Sequence, residues 1–488
     1  MTYPPNGGVA PPGPALPTMP AVPPQPGASP APAGPSGPLS AVPARRTAWA
    51  EGVDRLRAAA TTEPGRLRII GAVLALLVVA FGAVTTWEMS ERSAAADDVL
   101  NRSQPLSTDA AVIYRSLADA NTAASSGFLA GGQEPADVTK RYEDDISTAS
   151  EKLATAAANS GSDPASAAAV AKLNKLLPEY TGLIERARAN NRQGLPLGGA
   201  YLRYANAKMQ TMLDAAEQLY KEENERLRAD YDDATPYPWA AIGVGVLALA
   251  ALVWAQRRNY HRTNRLFNHG LLAATAASTV VLLWLVVGHT VARSGLDDSY
   301  DHGVRSLNVL NDARIASLKA RGNENLTLVS RGAETVTEGK VTKDKFDVDY
   351  QEQMKALGGA DGSTGLLGTA ASLADDAAGK GPVAEAIKNV KDWKSRHGEA
   401  RQRDDSGNYE GALEKVIGTK AQDPTDESFD LVDGALKAAL DHEQQEFKAA
   451  AEGGRDAMTG LPVGAAVLAV LGAAAAVLGI GRRLSEYR

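Results

Sequence analysis

"LPVGAAVLAVLGAAAAVLGIGRR", residues 461–483, decides the architecture. From Leu461 to Ile480 it carries no Asp, Glu, Lys or Arg, and Arg482 and Arg483 follow at once. A helix of about 20 residues, rising 1.5 Å per residue, crosses the roughly 30 Å hydrocarbon core of a bilayer. Three further runs read the same way: Ile69–Trp87, Trp239–Ala255 and Leu266–Gly288. Four such runs with charged flanks argue for four spanning helices rather than buried soluble ones. The first begins too far into the chain, and is too long, for a signal-peptide h-region, so it reads as an anchor.

Arginine placement orients the spans. Arg45, Arg46, Arg55, Arg57, Arg66 and Arg68 precede the first span. Arg257, Arg258, Arg262 and Arg265 lie between the second and third, and Arg482, Arg483 and Arg488 follow the fourth. Short basic segments stay in the cytoplasm. Both termini and residues 256–265 are therefore expected inside, with a net charge of roughly +9, and the two long acidic loops outside at the plasma membrane. Mean hydropathy is only -0.22, so most of the chain lies outside the bilayer. With no cysteine, disulfides and thiolate chemistry are excluded.

The two loops resemble each other. "SAAADDVLNRSQPLSTDAAVIYRSLADANTAASSGFLAGG" opens the first and "SGLDDSYDHGVRSLNVLNDARIASLKARGNENLTLVSRGA" the second, aligning Asp97 with Asp297 and Ala120 with Ala320. Further on, Tyr180 falls on Trp393 and Arg188 on Arg401; later still, Glu223 falls on Glu443 and Leu227 on Phe447. The offset grows from 200 to 213 to 220 residues, with the extra residues placed in "LGGADGSTG" and "GTKAQDPTD". Matching order and loop size point to an internal duplication. Breakers such as "GGQEP", "SGSDP" and "NRQGLPLGG" divide the first loop into four helical stretches. Apolar residues at three- and four-residue spacing (Met209, Leu213, Ala216, Tyr220; Phe429, Val432, Leu436, Leu440) build the seam of an antiparallel bundle. The fold expected is all-α: four transmembrane helices with two tandem extracytoplasmic antiparallel four-helix bundles.

The expected order is a disordered Pro-rich tail (1–64), span (65–87), bundle (88–237), span (238–255), basic loop (256–265), span (266–290), bundle (291–460), span (461–481) and stub (482–488). The first and last helices of each bundle are expected to run on into the flanking spans. The tail's first 44 residues hold no charge and so many prolines that helix and sheet are blocked, leaving a tether or a docking segment.

Two repeated pairs are candidate ligand or partner contacts. Glu223 and Glu443 fall where the seam expects an apolar residue; buried, they would mark a ligand site or a switch, whereas a splayed bundle would turn both to water. Arg188 and Arg401, with Tyr180 and Trp393 two turns earlier, could hold an amino-acid carboxylate or lie along the third helix as ordinary surface charges. No HExxH, GxSxG, P-loop, kinase or dinucleotide motif occurs, so neither an enzyme nor a resident cofactor or metal is expected. A carrier is disfavoured because the spans hold no charge and their Ala/Gly surfaces suit close packing.

Duplicated halves of span, bundle, span resemble the sensor domains of chemoreceptors and histidine kinases, without HAMP, kinase or cyclase segments. The four-pass layout, covering about residues 65–488, resembles the actinobacterial GlnX family, although the Pro-rich tail departs from it. That resemblance implies a membrane relay without an output domain of its own. It would run between an external glutamate- or aspartate-binding lipoprotein (GlnH-like) and a cytoplasmic Ser/Thr kinase (PknG-like), with membrane lipid as a further partner and homo-oligomerisation left open. A structural membrane scaffold is the alternative.

Overall fold

The computed structural model describes residues 61–159, 163–263, 268–338, 341–418 and 422–484. The tail expected at 1–64 lies almost wholly outside them, as do the end of the basic loop and the end of the stub.

Four long apolar helices stand as expected. They are α1 (Glu63–Asp98), α6 (Trp239–Thr263), α7 (His269–Asp298) and α14 (Leu461–Leu484). They pack in a ring, α1 against α6 and α14, and α7 against α6 and α14. Small residues set the approach: a Cβ on Gly82 would stand 2.1 Å from that of Ala469, and one on Gly245 2.6 Å from the Phe81 ring. Without a hydrophobic drive between helices in lipid, such close van der Waals contact holds them together. Val73, Leu76, Leu247, Leu283 and Leu478 point outward, as a lipid-facing surface would.

Above the ring stand two halves. Half A is α2 (Gln104–Leu129), α3 (Ala136–Asn159), α4 (Pro164–Arg192) and α5 (Leu197–Ala234). Half B begins with α8 (Arg305–Ser330), followed by a hairpin of β1 (Thr335–Glu338) and β2 (Val341–Asp344) paired from Thr335↔Asp344 to Glu338↔Val341. Then come α9 (Lys345–Gly358), α10 (Gly365–Leu373), α11 (Ala377–Asp405), a short α12 (Tyr409–Ile417) and α13 (Thr425–Met458). Half A has the four expected stretches. Half B splits its second helix into α9 and α10, because Gly359, Gly362 and Gly365 adopt positive φ, where only glycine is unstrained.

The two halves, in tandem along the chain, pack side by side rather than standing apart. Helices α2 and α8 pack on each other and share one apolar core. Residues equivalent by the 200-residue offset meet: Asn325 Nδ2 donates to Ser125 Oγ (3.2 Å), and a Cβ on Gly322 would stand 3.3 Å from Thr122 Oγ1. Thr122 Oγ1 also donates to the Leu318 carbonyl (2.8 Å). The two helices run parallel along this contact. It explains why "ADANTAASSG" (118–127) is small and polar yet buried on nearly every side: small side chains let two backbones approach.

Entry and exit helices differ. From α1 into α2 the helix continues through a π-helical turn, Val99–Ser103, and from α7 into α8 through its counterpart, Ser299–Val304. The exit helices do not run on as expected. Between α5 and α6, "TPYP" (235–238) interrupts the hydrogen-bond ladder, since proline lacks the N–H and excludes the preceding turn. Between α13 and α14, Thr459 is extended and Gly460 has φ +80°. The half A break is held by α1: Arg92 donates to the carbonyl of Pro236 (2.8 Å), and Glu88 Oε2 accepts from the Ala241 amide (2.8 Å).

Candidate functional site

Tyr180 and Trp393 are completely buried in the cores of their halves. Tyr180 Oη donates to Asn121 Oδ1 (3.5 Å), while Trp393 Nε1 donates to the Glu324 carboxylate (3.2 Å). Arg188 is not a surface charge. It pairs with Glu134 (2.8 Å) and Glu185 (3.0 Å), and its guanidinium covers the Tyr142 ring at 4.3 Å, clamping α4 to the top of α3. Arg401 is half-buried against Asp347 (3.6 Å), Asp404 (2.6 Å) and Asp405 (2.9 Å). Both arginines therefore have acidic partners within the protein.

Glu223 and Glu443 do not face water; each residue is 4 % exposed. The halves do not splay here, because α4 and α11 begin at this level and cover both carboxylates. Ser166 Oγ and Arg226 Nη1 donate to Glu223 at 2.8 and 3.2 Å. Burial, followed by the neighbouring Glu446 and Asp375 charges, pushes the Glu443 carboxyl up to about 7, against a weaker opposing effect of Ser306 and His442.

Sequence reading missed a network inside half B. Arg321 has no exposed surface; it donates to Glu324 (2.6 Å), Thr425 Oγ1 (2.8 Å), the Val416 carbonyl (3.2 Å) and Asp426 (2.6 Å). His397 bridges Glu324 (2.8 Å) and Asp347 (3.2 Å) and stacks on Tyr350 at 3.6 Å. Burial opposes the imidazolium, but the hydrogen bonds and charges of Asp347 and Glu324 outweigh it, so the His397 pKa is raised. Burial likewise opposes the Glu324 carboxylate, yet His397 and Arg321 hold its pKa below the usual value. A signal was available: "ARGNEN" (320–325) places Arg321 and Glu324 three residues apart on a helix that must be central.

A second charged group crosses the seam between the halves. Arg314 holds Asp433 through Nε (2.5 Å) and Nη2 (2.8 Å), and Arg141 joins Asp119 (2.8 Å) to Asp430 (3.7 Å). Beside them, burial and then the Asp119 charge push the Asp145 carboxyl up to about 8.

On the opposite side of the seam is a cleft of about 450 Å³, lined by Tyr114, Glu217, Asn308, Asp312, Lys319 and Leu366 among others. Lys319 Nζ donates to Tyr114 Oη (2.9 Å), and Tyr114 Oη to Glu217 Oε2 (3.3 Å). Burial lowers the Lys319 pKa, and burial with the Glu217 charge pushes Asp312 up to about 6. A cleft holding both signs of charge on helices from both halves can receive a small zwitterion. A groove of about 530 Å³ lies at the membrane-distal tip, lined by Phe128, Leu195, Pro196, Val329, Arg331 and Tyr409 among others.

Four helices long and apolar enough to cross a membrane thus stand under a helical head with buried, paired charges, the layout of a multi-pass membrane protein. Residues 95–232, from the foot of α1 to the end of α5, match the family model described as Actinobacterial sensor domain. No curated protein and no solved structure matches the chain.

Proposed function

We propose that this protein is a membrane relay that senses an extracytoplasmic amino acid and hands the signal to a cytoplasmic Ser/Thr kinase. In this reading both termini are cytoplasmic, the head lies outside the plasma membrane, and the catalytic step belongs to the partner. The observation that supports it best is the pair of entry helices. Each passes from a membrane segment through one π-helical turn into the head, and there the two pack on each other. A π-turn is rare and concentrates at functional sites. Two stiff rods joined at their outer ends can carry a displacement that broken exit helices would absorb.

The ligand, an acidic amino acid such as glutamate, arrives on a solute-binding lipoprotein of the GlnH type that docks at the distal groove; direct entry into the seam cleft is the variant of the same scheme. A PknG-like kinase reads the cytoplasmic ends. A ligand biases the rods only by its different affinity for two arrangements. The chain has no cysteine, so a Ser125→Cys/Asn325→Cys pair across the helix contact reports on α2 and α8 without background. Oxidative crosslinking in nanodiscs should change rate when glutamate-loaded binding protein is added. Equal rates with and without it would remove the relay and leave a static scaffold.

A further inference from the structure

The two halves surround the same two carboxylates, one at a helix cap and one buried beside it, differently. In half A, Asp163 caps α4, accepting from the amides of Ala165 (3.0 Å) and Ser166 (3.2 Å). Glu223 reaches the same helix end, where Ser166 Oγ donates to it at 2.8 Å and Arg226 pairs with it at 3.2 Å. A hydroxyl and a fixed cation thus serve this pair.

The offsets that align the halves put Asp376, Gly379, Glu443 and Glu446 where half A has Asp163, Ser166, Glu223 and Arg226. Asp376 caps α11 in the same way, accepting from the Gly379 amide at 2.7 Å. The serine side chain is gone. Asp376 Oδ1 and Glu443 Oε1 converge on the vacated place, 3.4 and 3.3 Å from where a Cβ on Gly379 would sit. The arginine is replaced by a further carboxylate, Glu446, and His442 Nε2 lies 3.2 Å from Asp376 Oδ1 and 3.4 Å from Glu446 Oε1. Lys380, close by in sequence, donates to the Asp375 carbonyl (3.0 Å).

Two buried groups here lack what half A supplies. Glu443 is 4 % exposed, and among the described residues no Lys or Arg lies within ion-pair distance of it. Ser306, 1 % exposed, stands beside Glu443, and among the described residues its hydroxyl has no other partner. A buried carboxylate without a fixed cation is costly, and among the described residues only the imidazole of His442 stands near enough to act as one.

We propose that Asp376, His442 and Glu446, beside the buried Glu443, bind a divalent transition-metal ion, Zn²⁺ or Mn²⁺, in the place that Arg226 fills in half A. One ligand atom from each of Asp376, His442 and Glu446 already lies within 4.8 Å of the others. Metal–ligand bonds near 2.1 Å keep ligands within roughly 4.2 Å of one another, so closure needs only small side-chain movements. One imidazole among carboxylates favours Zn²⁺ or Mn²⁺ over the all-oxygen preference of Ca²⁺ and Mg²⁺. The ion would tie the start of α11 and the middle of α13 to the foot of α8. There Ser306 follows the π-turn, and Gly303 packs against Phe447, a Cβ on it standing 2.9 Å from that ring's side chain.

The test is calorimetric titration of the chelator-stripped full-length protein in nanodiscs with ZnCl₂, MnCl₂, MgCl₂ and CaCl₂. The expected result is one equivalent of Zn²⁺ or Mn²⁺, bound at least tenfold more tightly than Mg²⁺ or Ca²⁺. His442→Ala and Glu446→Gln should each weaken it at least tenfold. Glu446→Arg, which recreates the half A arrangement, should abolish binding, keep the helical circular dichroism, and unfold at a temperature no longer raised by the ion. Failure of the wild type to bind, equal affinity for all four ions, unchanged binding by His442→Ala, or one equivalent still bound by Glu446→Arg would each overturn the assignment.

Discussion

The two halves share helix order, cap positions and π-turns, yet the same core layer is neutral in one and ionic in the other. In half A, Asn121 Nδ2 donates to Asn206 Oδ1 at 3.0 Å beside Tyr180, Ala124 and Ile184. The corresponding residues of half B are Arg321, Asp426, Trp393, Glu324 and His397, so an amide pair becomes an ion pair and two apolar neighbours become its partners. Since half A holds its layer without charge, ionic pairing is not what the bundle needs in order to form. Buried ion pairs add little net stability over apolar packing, but they penalise every arrangement that separates them. The half that matches the sensor-domain family model, residues 95–232, is the neutral one.

Breaking the ionic layer should have the largest effect. Glu324→Ala strands Arg321, the Trp393 indole and Thr425 without their shared acceptor, and thermal unfolding in detergent should show a loss of about 3–5 kcal/mol. Asn121→Ala in half A removes two neutral hydrogen bonds, to Asn206 and from Tyr180, for a loss of about 1–2 kcal/mol. The combined Arg321→Asn, Glu324→Ala, His397→Ile and Asp426→Asn protein rewrites half B as half A and should return to within about 2 kcal/mol of the wild type. If it is as unstable as Glu324→Ala alone, the two layers are not interchangeable.

Protonation separates the halves next. Asp145, at the half A side of the seam, has its carboxyl pushed up to about 8, whereas an unfolded Asp titrates near 3.9. The folded state favours its neutral form, so stability declines as pH rises from about 4 to about 8. Asp145→Asn should remove that slope and be more stable than the wild type at pH 8 by about 1–2 kcal/mol. His397 behaves in a later window. Its raised pKa gives stability that is complete below the unfolded value near 6.5 and is lost as pH rises through the folded value. His397→Gln should therefore flatten only the part above about 6.5. Matching changes in both variants would mean that the seam and the half B layer titrate as one unit.

The exit breaks provide a smaller contrast. Gly460 sits at φ +80°, so Gly460→Ala should cost about 1 kcal/mol through left-handed strain. The half A break owes its shape to Pro236 and Pro238, and Pro236→Ala should change stability by less.

The spans were legible because each is an uninterrupted apolar run, a signal that depends on length alone. The 200 and 213 offsets pair the two π-turns with each other and the Asp163 cap with the Asp376 cap. The breaks at "TPYP" and "TG" were written in the chain but overridden by the continuous apolar periodicity on either side. The docking of α2 on α8 was not legible. A helix buried on all sides shows no single apolar stripe, and small polar residues read as solvent-exposed when their partner lies two hundred residues away. Arg321, Glu324 and His397 escaped for the same reason: charge is ordinarily a sign of the surface.

The smallest expected effect sharpens the comparison by being absent. Lys140 pairs with Asp144 on α3 of half A, and Lys437 with Asp441 on α13 of half B; all four side chains are more than half exposed. Both are ion pairs one helical turn apart, formally like Arg321 with Glu324. In water the attraction is screened and two long side chains must be ordered to make it, so Lys140→Ala and Lys437→Ala should each shift stability by no more than about 0.5 kcal/mol. Measured beside Glu324→Ala, these two variants hold charge type and spacing nearly constant while burial changes. If either approaches the loss at Glu324, the contrast between the halves comes from charge pairing in general; if both stay near zero, it comes from the dry layer alone.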